Sequence, residues 1–167
     1  TQNLTGEPIE WTSAQNLLFS TPTAISCGFH KSFPIDQSTK WDLMSSPEQI
    51  LQKTFGFNDF RPGQREIIDL LMDGRNALAV MPTGAGKSMC YQVPAVLSGR
   101  LAVVISPLVA LMDDQVAGLR ANGVNASSIH SGMSREDQVA AWMTVKSGAC
   151  RLLYLSPERL MTERMLA

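Results

Sequence analysis

An apolar run, Ala77-Leu78-Ala79-Val80, leads directly into Met81-Pro82-Thr83-Gly84-Ala85-Gly86-Lys87-Ser88 and then into Met89-Cys90-Tyr91-Gln92-Val93, which suits a helix. Strand, glycine-bearing loop and helix in that order are the setting in which a phosphate-binding loop works. The glycines let backbone N–H groups turn inward on phosphate oxygens, and the helix start adds partial positive charge. Lys87 is placed to reach the β- and γ-phosphates of a nucleotide, and the Ser88 hydroxyl to ligate Mg²⁺. Thr83, Gly84, Ala85 and Gly86 complete the predicted cradle. The general pattern asks for glycine where this chain has Met81, so the match is to the core Gly84-x-Gly86-Lys87-Ser88 and not to the whole signature.

A regular alternation follows the loop. A helix is predicted from Ser88 to about Leu97, stopped at Gly99. Leu101–Ile105 is continuously apolar and reads as a strand buried on both faces of a parallel sheet. Ser106-Pro107 opens a helix to about Ala121, ended by Asn122-Gly123, and a short strand follows near Ala126–Ile129. Ser134-x-x-Asp137 caps a helix reaching Lys146, which Gly148 closes. Leu152–Leu155 is another buried strand, and a last helix begins at Glu158. Upstream, Ser46 and Pro47 cap and open a helix to Thr54, and a second helix runs from Arg65 to Met72. The alternation predicts an α/β fold of the P-loop NTPase (RecA-like) kind, a doubly wound and mostly parallel sheet. Ligands of such sheets bind at the carboxyl ends of the strands, where Gly84–Ser88, Ser106-Pro107 and Ser156-Pro157 fall.

At 167 residues and 44% hydrophobic content the chain can build one domain with a core. The net charge of −1 carries no basic field, so any nucleic-acid partner has to be argued from motifs. Cys27, Cys90 and Cys150 lie far apart, with no spacing suited to zinc, and read as free thiols. No apolar run approaches the ~18 residues of a membrane span, and no signal peptide is legible. The expectation is a cytoplasmic protein, nucleoid-associated in a bacterium and nuclear in a eukaryote. Residues 1–43 are polar and without period, and are expected to be a disordered extension or read-through upstream of a true start at Met44. Asp113-Asp114 is a tempting metal pair, but adjacent helical residues diverge by about 100°, which favours a solvated helix face. His30 falls in the extension and His130 reads as a loop residue.

Four segments together resemble the RecQ-type DNA helicases. Phe55-Gly56-Phe57-x-x-Phe60-Arg61-Pro62-Gly63-Gln64 is similar to that family's adenine-recognition motif, and Met81–Ala95 to its motif I, Met81 included. Ser106-Pro107-Leu108-x-x-Leu111-Met112-x-Asp114-Gln115-Val116 is similar to motif Ia, and Leu153-Tyr154-x-x-Pro157-Glu158-Arg159-Leu160 to motif Ib. The order is right and the segments cover roughly residues 47–161. The resemblance implies ATP and Mg²⁺ as cofactors, 3′-to-5′ unwinding in recombination and repair, and single-stranded and branched DNA as partners. Gln64 carries an amide whose donor and acceptor complement adenine N7 and N6, and the resemblance implies stacking of Phe57 and Arg61 on the ring. It also implies DNA contacts at Ser106, Gln115, Ser156 and Arg159, although a serine before proline equally suits a helix cap.

Hydrolysis of ATP needs an acid pair and a transition-state arginine. The family's Asp-Glu-x-His box is not found, so residues 44–167 are expected to be the N-terminal part of the first helicase lobe, cut before that box and unable to unwind DNA alone. The flanks of Leu152–Leu155 are expected to lie exposed for want of neighbouring strands. Two other classes share parts of the pattern. A P-loop phosphotransferase would need Gly86-Lys87-Ser88 but not the Phe57/Arg61/Gln64 module, and a non-catalytic module would bind DNA in a nucleotide-dependent way.

Overall fold

The computed structural model describes residues 25–27 and 46–161, with only the backbone of the first stretch. The expectations for the rest of residues 1–43, for a start at Met44, for His30 and for the Cys27 thiol lie outside the described residues.

Three helices open the described core. α1 (Pro47–Phe55) starts from a capping box in which Ser46 and Gln49 bond each other's backbone N–H, with Pro47 in the first turn, and Gly56 ends it at φ 74°. α2 (Gln64–Met72) follows a turn at Gly63, and β2 (Ala77–Ala79) delivers the loop to α3 (Met89–Ser98). Leu51, Ile68 and Val93 bring these three helices together, one residue from each, with Phe60 and Met89 packed around them. Downstream come β3 (Ala102–Ile105), α4 (Val109–Ala121), β4 (Ala126–Ile129), α5 (Arg135–Lys146), β5 (Leu152–Leu155) and α6 (Pro157–Leu160).

β5 is the centre of a parallel sheet ordered β3-β5-β4, with Leu152 opposite both Ala102 and Ala126. Successive β5 residues face opposite sides. Leu152 and Tyr154 join Tyr91, Met112, Val116 and Leu119 in a core beneath α3 and α4, while Leu153 and Leu155 join Ala141 and Trp142 beneath α5. Helices therefore cover both faces, as a doubly wound sheet requires. β2 stands apart from this sheet. It pairs antiparallel with β1 (Ile25–Cys27), which lies within the stretch expected to be without regular structure.

Three expectations about the strands and helices are corrected. β3 is not buried on both faces: Val103 is 48% and Ile105 42% exposed. In the parallel register these residues share the side of Leu153 and Leu155, so the α5 layer covers β4 and β5 but not β3. The same register overturns the expected exposure around Leu152–Leu155, because β5 has a partner on each edge and the uncovered apolar surface falls on β3. α4 starts at Val109 and not at Ser106-Pro107; Ser106 instead accepts from the N–H of Leu108, two residues on, in a tight turn before the helix. Among the described residues no helix is long and apolar enough to cross a membrane.

Candidate nucleotide-binding site

The loop is shaped by two left-handed glycines, Gly84 at φ 83° and Gly86 at φ 74°. Between them the Ala85 N–H bonds the Pro82 carbonyl (3.2 Å). The first α3 bonds run from Met89 to Gly86 and from Cys90 to Lys87. The N–H groups of Gly86, Lys87 and Ser88 meet no acceptor among the described residues, which is the condition for an anion-binding helix start. Ser88 occupies the cap position of α3 without using its hydroxyl as a cap. That hydroxyl fits the role of a Mg²⁺ ligand. Met81 is buried, with its sulfur 4.0 Å from the Cys90 thiol, so the residue that departs from the general loop pattern is a core anchor for the strand end.

Lys87 folds back over the loop, its ammonium donating to the carbonyls of Met81 and Pro82 (both 3.0 Å). Both acceptors are neutral, so phosphate oxygens, which carry charge, compete well for the same donors.

The upstream module is bound into the loop through polar contacts. Gln64, 3% exposed at the start of α2, donates from Nε2 to the carbonyls of Ala85 (3.1 Å) and Gly86 (2.9 Å), and its Oε1 accepts from the Arg61 N–H (2.9 Å). A Cβ on Gly86 would lie 2.6 Å from that Nε2, so glycine is also needed here for close approach. The Arg61 guanidinium donates to the Gly84 carbonyl. Both ends of the Gln64 amide are thus engaged with protein, and an adenine contact exchanges some of these bonds. Phe57 is half-exposed beside the module, free of the core that holds Phe60.

The four DNA-contact candidates divide. Ser106 and Ser156 stand at the carboxyl ends of neighbouring strands, joined by the Ser106 N–H to Leu155 carbonyl bond (3.0 Å). Ser156 is buried at the N-cap position of α6, but its hydroxyl makes no cap bond to the helix; a bond with Ser156 is the chief cause that holds the Glu158 carboxyl below its ordinary value. Arg159 is partly buried on the single turn of α6. Gln115 turns inward, where its Oε1 accepts from Gln92 Nε2 (2.8 Å). Gln92 Nε2 also donates to the Tyr154 hydroxyl (3.2 Å), which lies 3.4 Å from that of Tyr91. Burial pushes the Tyr154 phenol up from its ordinary value, and the bonds with Tyr91 and Gln92 partly offset this.

Sequence reasoning missed two polar sets that reach from half-buried or exposed helix residues into the interior. One is the Gln92–Gln115–Tyr154 set, signalled only by glutamine in an otherwise apolar helix. The other joins Asp113 Oδ1 to the Ser128 hydroxyl (3.0 Å) and to His130 Nε2 (3.3 Å). Asp113 is therefore more than a solvated helix residue, and His130 is buried. No group of three or more possible metal ligands occurs among the described residues.

The family model for DEAD/DEAH box helicases matches residues 61–166, more than half of the chain. An ATP-dependent DNA helicase RecQ of Haemophilus influenzae is 47% identical over 113 residues, which is 68% of this chain and 18% of that protein. Its Bacillus subtilis counterpart is 42% identical over 119 residues, 71% of this chain and 20% of that protein. The chain thus spans about a fifth of the length of these relatives. A crystal structure of a hypothetical ATP-dependent RNA helicase from Sulfolobus tokodaii superposes with a TM-score of 0.54 at 23% identity, covering 69% of this chain and 34% of that one, a likeness of fold. With the phosphate loop, the Arg61 and Gln64 side chains bound to it and the parallel sheet all inside the matched span, this chain belongs to the DEAD/DEAH box helicase family, among its RecQ-type members.

Proposed function

We propose that this chain is the nucleotide-binding part of an ATP-dependent DNA helicase that unwinds with 3′-to-5′ polarity and serves recombination and repair. The observation that carries the reading is the polar seam of Arg61 and Gln64 on the carbonyls of Gly84, Ala85 and Gly86. A P-loop phosphotransferase has no need of that seam. Here it joins the base-reading module to the phosphate cradle, so occupancy of one bears on the other.

In this reading the N–H groups of Gly86, Lys87 and Ser88 hold the β- and γ-phosphates, and Lys87 leaves the Met81 and Pro82 carbonyls to donate to them. Gln64 reads the adenine edge and Phe57 and Arg61 cover its faces. Thr83 and Ala85 line the mouth of the cradle. Mg²⁺, held by the Ser88 hydroxyl, neutralises charge on the phosphate oxygens when bound. Ser106, Ser156 and Arg159 lie along the carboxyl edge of the sheet and contact the phosphates of single-stranded or branched DNA. Support for Ser156 is its place at the carboxyl end of β5, beside Ser106 at the end of β3. Gln115 accepts from Gln92 through Oε1, which leaves its amide N–H groups to donate to a DNA phosphate.

Replacing Lys87 with alanine in the full-length protein removes the ammonium that the loop itself supplies to the phosphates. ATP turnover is expected to fall at least ~100-fold while single-stranded DNA binding stays nearly unchanged, since charge stabilisation of the transferring phosphoryl is the main catalytic contribution. Turnover at the wild-type rate would refute the assignment. No Asp-Glu-x-His box occurs within the 167 residues, and stepping needs two lobes that close on nucleotide and reopen. Residues 1–167 alone are therefore expected to bind nucleotide without displacing a strand from a forked duplex. ATP-dependent displacement by this chain alone would overturn that.

A further inference from the structure

Gln92 lies one helical turn beyond the loop, its N–H bonded to the Ser88 carbonyl (2.9 Å). Its side chain is buried between two elements that lead elsewhere. Nε2 donates one proton to Gln115 Oε1 on α4 (2.8 Å) and the other to the Tyr154 hydroxyl on β5 (3.2 Å). The turn entering α4 carries Ser106, and β5 ends at Leu155, one residue after Tyr154, with Ser156 next in the chain. Buried Gln92 and Tyr154 and half-buried Gln115 thus tie the helix that starts at the phosphate loop to both strand–helix junctions on the sheet's carboxyl edge.

We propose that Gln92 is a positioning residue that couples nucleotide occupancy at Gly84–Ser88 to DNA contact at Ser106 and Ser156. The inference rests on the helicase reading above and adds the route by which its two ligands affect one another. An amide nitrogen has two protons, and here each has its own acceptor. A shift of α3 against either α4 or β5 unmakes one bond and strands a buried polar group, so the three elements move together or not at all. Tyr91, the neighbour of Gln92 on α3, strengthens the tie. Its ring meets that of Tyr154 edge-on at 69°, with centroids 6.5 Å apart and the hydroxyls 3.4 Å apart. Gln92 touches neither ligand position, so its effect is on the coupling and not on either binding step.

The test uses the full-length protein, a fluorescent single-stranded oligonucleotide and a non-hydrolysable ATP analogue. Oligonucleotide affinity is measured with and without the analogue, and the ratio is the coupling factor, typically on the order of 5–150-fold for linked sites. Gln92→Met keeps volume and removes the donors; Tyr154→Phe removes one hydroxyl from an otherwise intact ring and keeps the fold. Each is expected to bring the factor below about threefold while the two separate affinities stay within about threefold of wild type, and the double variant is expected to match the singles because they break one shared path. A coupling factor unchanged in both variants overturns the proposal, as does a factor kept while one separate affinity collapses. A wild-type protein whose oligonucleotide affinity ignores the analogue would instead remove the helicase reading beneath it.

Discussion

Glycine at two loop positions answers two different demands, and they can be separated. Gly84 and Gly86 both hold left-handed φ values, which cost an alanine about 1–2 kcal/mol. A Cβ on Gly84 meets nothing within 4 Å, whereas one on Gly86 runs into Gln64 Nε2. Gln64 is buried and bonded at both ends of its amide, so it cannot swing away without stripping the Ala85 carbonyl and the Arg61 N–H of their bonds, while the Gly86 carbonyl keeps the Met89 N–H. Gly84→Ala is therefore expected to cost only the conformational term. Gly86→Ala is expected to cost about 1–3 kcal/mol more, the usual range for stranding buried polar groups. Urea denaturation measures both. In a Gln64→Ala background the excess at Gly86 disappears; equal costs for the two glycines in the native background would show that the seam does not constrain the loop.

Local signals explain which elements were legible. Ser46 and Pro47, Ser134 with Asp137, and the glycines at 56, 99 and 148 are chemical instructions to start or stop a helix, and the structure obeys each of them. Ser134 accepts from the Asp137 N–H at 3.1 Å, as the pattern predicts. The phosphate loop was readable for the same reason, since its glycines, lysine and serine act within a few residues of each other. Readings failed where the deciding partner is far along the chain. Leu101–Ile105 looks like a strand covered on both faces, but cover depends on where α5 lies, and α5 sits over β4 and β5. Serine before proline looks like a cap at both Ser106 and Ser156. At neither place does the hydroxyl cap a helix, because α4 starts three residues after Ser106 and the Ser156 hydroxyl makes no bond to the first turn of α6. Gln64 was singled out by its motif; its grip on the loop backbone, 21 and 22 residues away, was not legible. The same limit hid Gln92, whose partners are 23 and 62 residues distant.

At the scale of the whole molecule, the parallel sheet and the loop-bearing strand are two separate hydrogen-bonded units, and apolar side chains line both. β3 is the outer strand of its sheet and exposes Val103 and Ile105; Leu78 on β2 and Val80 just beyond it are exposed as well. Strands of a parallel sheet normally have both faces covered, and an uncovered apolar edge strand is a template for pairing with another chain. Natural edges are blunted by lysine, proline or a bulge, none of which interrupts Ala102–Ile105. Residues 1–167 in isolation are thus expected to self-associate at micromolar concentration, with a weight-average mass that rises with loading in sedimentation velocity. Lysine placed at Val103 and Leu78 puts charge on both surfaces at positions outside the buried clusters, so the fold and the loop are left in place. The V103K/L78K chain is expected to remain monomeric and to bind nucleotide as the parent does. A parent chain that stays monomeric across the concentration series would show that β2 and β3 are not adhesive. A double-lysine chain that still associates would place the contact on another surface, of which the exposed Leu108 and Leu111 at the start of α4 are the next candidates.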